Sequence, residues 1–163
     1  MVDNQQQAQS VVNEQKPQLG LGEQDSLDVK NQTADEQGNA YYQLEQTYKG
    51  LPVYGARAVL EIEKGQAVLI SGSWQTGLEL EVEAKHEALE AVTLGLRKEM
   101  SDEQVLRIAL KPESLLMIYM TNRGAHLAWR VVVQYQEPVH APEIMIVDAQ
   151  TPEVLFRQPA MLH

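Results

Sequence analysis

The stretch QTYKGLPVYGA, residues 46–56, decides how the first half of the chain folds. A polar strand ends at Tyr48; Gly50 lets the backbone turn, Pro52 fixes one φ angle, and Gly55 opens a second bend before the chain runs extended again. Upstream, YYQLEQTY at 41–48 puts Tyr42, Leu44 and Tyr48 on one face. Downstream, residues 57–63 place Ala58, Leu60 and Ile62 on one side and Arg57, Glu61 and Glu63 on the other. Lys64-Gly65 then gives a tight turn into AVLISGSW at 67–74. The expected product is a small β-rich module whose hairpin has a dry face and a wet face.

Around this module the chain divides further. Residues 1–19 are expected to form a flexible polar leader, because the first 18 residues hold six glutamines and almost nothing to bury. The β-rich module covers 20–78, and the composition shifts at TGLELEVE, 76–83. A second module, 79–157, begins with helical spacing over 84–100, where Ala88, Val92 and Leu96 repeat every fourth position and Leu89 and Met100 widen the stripe. Glu81, Glu83 and Glu87 near its start and Arg97 and Lys98 near its end suit the helix dipole. Extended runs follow at 104–111, 114–120, 125–135, 143–149 and 153–157, with a hairpin turn at Asn122-Arg123-Gly124. One helix followed by an antiparallel meander predicts an α+β layer, the helix covering one sheet face. Residues 158–163 are expected to form an extended C-terminal tail, since Pro159 disfavours helix.

Composition limits what the chain does. Its 163 residues are 44% hydrophobic, enough for one ordinary domain or two small ones. The formal charge of -10 resides in residues 1–40, with seven acids and two bases, and residues 79–103, with eight acids and three bases. Such a balance repels nucleic-acid phosphates and anionic membranes, so neither is an expected partner. There is no cysteine, no apolar run of the roughly 18 residues that would span a bilayer, and no signal-peptide pattern at MVDNQQQAQS.

Catalytic patterns are incomplete. HEALE at 86–90 begins like the helical zinc motif H-E-x-x-H but ends in Glu90, and a single imidazole does not hold zinc as two on one helix face do. His86 and Glu87 are therefore read as helix-surface residues. No serine lies in a G-x-S-x-G elbow and no Gly-rich loop precedes a helix. Glu61 and Glu63 share a strand face, but the wet one, where carboxyls make poor general acids. Trp74 and Trp129 are stacking candidates, although Trp129 alternates with Leu127, Val131 and Val133 as a core residue would.

QTYKGLPVYGA resembles the signature of the fungalysin/thermolysin propeptide module. The motif residues are Gln46, Tyr48, Gly50, Leu51, Pro52, Val53 and Gly55. AKHEALEA at 84–91, LAWRVVV at 127–133 and IVDAQTPEVL at 146–155 resemble the PepSY-type module that follows it in thermolysin-like precursors, with Trp129, Arg130 and Asp148 as the marking residues. Pro152 departs from that pattern, where glycine is usual. The resemblance implies a β-rich N-terminal module and a cystatin-like, helix-on-antiparallel-sheet C-terminal module.

It also implies a function. The chain resembles the propeptide of a secreted zinc metalloprotease of the vibriolysin/pseudolysin type, acting as intramolecular chaperone and inhibitor and left bound after autoprocessing at its C-terminus. On that basis the chain itself is no enzyme and holds no cofactor or metal. Zinc, and calcium with it, belong to the partner, the cognate catalytic domain. The blocking segment would be Ala160, Met161, Leu162 and His163, with His163 in reach of the partner's zinc. Location would be secreted or periplasmic, the signal peptide having been removed. The competing reading is a free-standing secreted inhibitor or PepSY-type regulatory binding module.

Overall fold

The structure is a computed structural model that describes residues 1–105, 107–136 and 140–160. The chain divides into two compact units, Met1–Glu79 and Leu80–His163. Met161, Leu162 and His163, three of the four residues expected to form the blocking segment, lie outside the described residues.

The first unit opens with helix α1, Gln5–Gln15, where a mobile leader is expected from composition. Asn4 caps it by accepting from the Gln7 N–H at 2.9 Å. Ala8 and Val12, one turn apart, are fully buried and join Leu27, Tyr42, Leu44, Leu60 and Ile62 in one core. Val11, partly buried, packs against the same core, so the helix docks through small apolar residues onto a sheet that supplies the larger side chains. A short 3-10 turn, Lys16–Leu19, then ends at Gly20 in the left-handed region.

Four strands follow: β1 Asp25–Ala34, β2 Ala40–Tyr48, β3 Leu51–Glu63 and β4 Gln66–Ser73. Each is antiparallel to the next. Two-residue turns join the last three, Lys49-Gly50 with φ of 48° and 84° and Lys64-Gly65 with φ of 53° and 78°. Positive φ at both positions matches the right-handed twist of the flanking strands. The alternation read from sequence is the one observed, with Tyr42, Leu44, Ala58, Leu60 and Ile62 all facing the core. Strand β4 departs from it. Its burial is almost wholly exposed along the strand, and Val68 and Leu69 are 49% and 54% accessible.

The second unit lays helix α2, Ala88–Leu96, against antiparallel strands. This helix is shorter than the 84–100 expected. Before it, the His86 N–H is donated to the Ala149 carbonyl at 3.1 Å and the Lys85 N–H to Gln150 Oε1 at 2.8 Å, so residues 85 and 86 bond to a turn of the sheet instead of to a helix. Beyond it lie a short helix α3, Asp102–Val105, and strand β5, Ile108–Leu110, in place of one extended run. The meander is β6 Leu115–Thr121, β7 Gly124–Tyr135, β8 Glu143–Asp148 and β9 Val154–Pro159. Strands β6 and β5 pair with opposite ends of β7, and β8 and β9 follow in order on its other side. Ala91, Val92 and Leu96 of α2 pack with Val131, Val133, Met145 and Val147. Gly95 faces the sheet, and a Cβ there would make ordinary contact at 3.4 Å with Val147 and Val154 side-chain atoms. Each unit is an α+β layer of one longer helix on an antiparallel sheet.

Candidate functional site

The motif 46–56 folds as a hairpin with a large bulge of four residues against one. Glu45 pairs with Arg57 and Thr47 with Pro52, so Val53, Tyr54, Gly55 and Ala56 lie opposite Gln46 alone. Gly55, at φ +77°, supplies the backbone reversal that the extra residues require. Val53 and Ala56 turn inward at 4% accessibility, and Tyr54 points out at 48%.

Opposite the bulge, Gln46 is buried and its amide works as a substitute strand. Oε1 accepts the Gln75 N–H and Nε2 donates to the Gln75 carbonyl, each at 2.8 Å. Nε2 also reaches Asp25 Oδ1 at 3.5 Å, while Asp25 Oδ2 accepts the Gly22 N–H at 2.9 Å. Beside it, Trp74 Nε1–H donates to the Leu19 carbonyl at 2.9 Å. One buried side chain thus ties the end of β2 to the segment leaving β4 and to the loop entering β1. A buried amide satisfied on both ends fixes geometry that an apolar residue would leave free. Leu51 pairs with Tyr48 across the turn, next to Pro52 and Thr47. The motif residues therefore build a bulged hairpin, and Tyr54 is the apolar side chain of the motif that is presented outward.

The second set of marking residues is structural in its contacts. Trp129 Nε1–H donates to the His86 carbonyl at 2.8 Å and its ring packs on the core under α2. Arg130 lies on the next position of β7, between Leu115 and Ile146. Asp148 Oδ1 accepts the N–H groups of Gln150 and Thr151 at 2.8 and 2.9 Å, closing the β8–β9 turn. Its Oδ2 is 2.8 Å from His126 Nδ1, and His126 Nε2 is 2.7 Å from Thr121 Oγ1. Hydroxyl, imidazole and carboxylate stand in the order of an acyl-transfer relay. Both ends are nonetheless engaged by backbone, since Thr121 Oγ1 also receives the Arg123 N–H at 3.2 Å. The row joins two hairpin turns. It had no signal in the sequence, where His126 and Asp148 are far apart.

The C-terminal segment is held in the sheet further than its sequence suggests. Gln158 and Pro159 belong to β9, and the Ala160 N–H donates to the Pro142 carbonyl at 2.8 Å. Arg157 anchors this end with a fork onto Glu143, Nε to Oε2 and Nη2 to Oε1, both 2.8 Å, and a further ion pair with Glu99 beyond α2. Tyr135 O–H donates to Glu143 Oε1 at 2.7 Å. The guanidinium hydrogen bond holds the Glu143 carboxyl below its usual range, and burial, reinforced by Glu143, raises the Tyr135 phenol. An open pocket of about 450 Å³ lies beside the cluster, bounded by Met100, His140 and Pro159. Neither Glu99 nor Glu143 stands out in the sequence, because the three charges come from separate elements.

His86 Nδ1 is paired with Glu90 of the first turn of α2, but His86 precedes the helix and Glu87 is its extended N-cap, so the two residues expected on the helix surface stand just ahead of it, where the backbone of His86 is bonded to Ala149. Among the described residues, no three His, Cys, Asp or Glu side chains come together as a metal site. No helix among them is long and apolar enough to cross a membrane.

Comparison with known proteins bears on these features. Residues 25–73, which span β1 to β4 and the Gln46 bulge, match the Fungalysin/Thermolysin Propeptide Motif. The chain is 27% identical over 145 residues to the thermostable neutral protease NprT of Geobacillus stearothermophilus, covering 84% of this chain and 26% of that protein. It is 30% identical over 145 residues to thermolysin of Alicyclobacillus acidocaldarius subsp. acidocaldarius and to thermolysin of Bacillus caldolyticus, covering 85% of this chain and 26% of each. The chain thus spans about a quarter of the length of the curated relatives it matches. Among solved structures, the Bacillus megaterium YpeB C-terminal domain aligns with a TM-score of 0.41 at 8% identity, over 99% of this chain and 68% of that chain.

Proposed function

We propose that this chain, which carries the fungalysin/thermolysin propeptide motif and is related to thermolysin-type neutral proteases, is the propeptide of such a protease, serving as its intramolecular chaperone and inhibitor. The observation that carries the reading is the motif match at 25–73 together with similarity over most of this chain but only 26% of each relative. The matched part is propeptide in kind and not the catalytic unit. Zinc, with calcium, would belong to the protease. Catalysis would need its H-E-x-x-H helix, of which HEALE at 86–90 is only a fragment.

Two physical roles follow. A protease rich in long-range contacts folds slowly, and a template that binds its folding transition state lowers that barrier. The Gln46 bulge and the second, PepSY-type unit would supply the template surface. After cleavage beyond His163, the folded units would keep hold of the enzyme while Ala160, Met161, Leu162 and His163 stay in its cleft as product, with the His163 carboxylate or imidazole beside the zinc. The Ala160–Pro142 hydrogen bond and the Arg157 fork support this reading, since they fix the point from which the last residues leave. Such a protein would work outside the cytoplasm, in the periplasm or secreted, with neither nucleic acid nor membrane as partner.

The test reads the coding sequence beyond His163 and then mixes the chain with the catalytic domain found there. An in-frame H-E-x-x-H protease that the chain inhibits supports the proposal. A stop codon, with no inhibition of the organism's thermolysin-type proteases, would leave the free-standing module as the better account.

A further inference from the structure

The two edges of the first unit's sheet are treated differently. Strand β1 is blunted. Gln9 of α1 donates to the Leu27 carbonyl at 2.8 Å and accepts the Val29 N–H at 2.9 Å, filling the hydrogen-bonding row that an added strand would use. A bulge between Val29 and Asn31 and the charges of Asp28 and Lys30 complete the protection. Strand β4 has no such protection: among the described residues it pairs only with β3.

The chemistry of β4 is also unusual for an edge. Gln66–Leu78 contains no charged residue, in a chain whose net charge is -10. Val68 and Leu69 are about half exposed, 49% and 54%. Val68 is the bulged residue of the strand, and Leu69–Ser73 run in unbroken register with Arg57–Glu61. A groove of about 270 Å³ lies between this strand and α1, lined by Val11, Gln15, Leu19, Leu60 and Ile70 along with Val68 and Leu69. An open strand edge next to a groove walled by a helix is the geometry in which an extended peptide adds as a strand and places alternate side chains in the groove. The neutrality of strand and groove selects the occupant: a charged segment would lose its hydration without a counter-charge, a penalty that an uncharged one with apolar alternate positions is spared.

We propose that Leu69–Ser73 of β4 and the groove between β4 and α1 form a docking site for an extended, uncharged segment of the protease, added as an edge strand with apolar side chains at alternate positions. The partner's identity rests on the propeptide reading; the strand-addition mode rests on the edge and groove. Docking there would be separate from the cleft-blocking segment and would position the folded units on the enzyme.

The experiment measures binding of the full chain to the active-site-blocked catalytic domain by calorimetry. Val68→Lys with Leu69→Lys places two charges on exposed positions of the edge and is expected to weaken binding about tenfold or more. Asn31→Lys, on the blunted edge, is expected to bind like the unaltered chain, and both variants to melt like it. Gln15→Lys charges the groove without touching the strand and is expected to weaken binding in the same direction, which covers a double variant that fails to fold. Unaltered binding by the folded double variant, or by Gln15→Lys, overturns the docking site while leaving the propeptide reading intact. A chain that pairs with itself through β4, seen as a dimer in sedimentation that the double variant abolishes while protease binding stays unchanged, also overturns it. Failure of the unaltered chain to bind any thermolysin-type catalytic domain overturns the propeptide reading, and the protease as occupant with it.

Discussion

Gln46 and Gln75 are joined as two neighbouring strands are, except that one partner is a side chain: the Gln46 amide accepts the Gln75 N–H and donates to the Gln75 carbonyl, both at 2.8 Å. Twenty-nine positions separate them. The pair explains why the motif needs glutamine here. Glutamic acid has no N–H to donate, and leucine leaves two backbone groups without partners.

Gln46→Leu should therefore destabilise the first unit by about 1–3 kcal/mol, the cost of part-buried backbone groups left without a protein partner. Urea unfolding followed by tryptophan fluorescence reads this through Trp74. A variant with an unchanged midpoint would show that the amide is not a structural tie.

Gly55→Ala and Gly72→Ala separate strain from collision. Gly55 has φ +77° and open space where a Cβ would go, so alanine there should cost only about 1–2 kcal/mol of backbone strain. At Gly72 a Cβ would come within 2.4 Å of the Arg57 carbonyl oxygen, and β3 and β4 would have to move apart. Thermal melts should rank Gly72→Ala well below Gly55→Ala; the reverse order would contradict the bulge geometry.

Acid should loosen the C-terminal anchor. The Arg157 hydrogen bond holds the Glu143 carboxyl below its ordinary range, so its folded pKa is lower than its unfolded one. The stability it contributes is present above the unfolded value, about 4.3 for glutamate, and is lost as pH falls through the lower folded value. Glu143→Gln should be less stable than the unaltered chain at pH 7 and nearly equal to it at pH 2–3. A gap that persists in acid would mean that packing, and not the ion pair, carries the effect.

Removing Met161, Leu162 and His163 leaves the Ala160–Pro142 hydrogen bond in place. Inhibition of the mature protease should weaken about tenfold or more, while binding to active-site-blocked enzyme changes little, because the folded units keep their own contacts. Equal inhibition constants for the full and shortened chains would exclude these residues as the blocking segment.

What was legible in the sequence is what is local. The hairpins are legible because a period of two, Gly50 and the Lys64-Gly65 pair specify strands and turns within a few residues. Helix α1 is not legible, because its apolar stripe is no more than Ala8, Val11 and Val12, and the value of Gln9 depends on Leu27 and Val29 of another element. Helix α2 is shorter than its apolar spacing predicts, because Ala149 and Gln150 take over the backbone of residues 85 and 86. The Gln46 tie and the Glu99–Arg157–Glu143 cluster join residues far apart in sequence, so their residue types announced nothing until the chain was folded. The exposed apolar run of β4 looked like half of a dry hairpin face; only the strand order shows it at an edge.

The most direct measurement refolds a denatured thermolysin-type catalytic domain from the same organism with and without this chain added as a separate polypeptide, and follows peptide hydrolysis over time. A chaperone that is also an inhibitor predicts active enzyme only when the chain is present, appearing after a lag as the bound chain is degraded. Equal recovery of activity with and without the chain, from the first time point onward, would contradict the account.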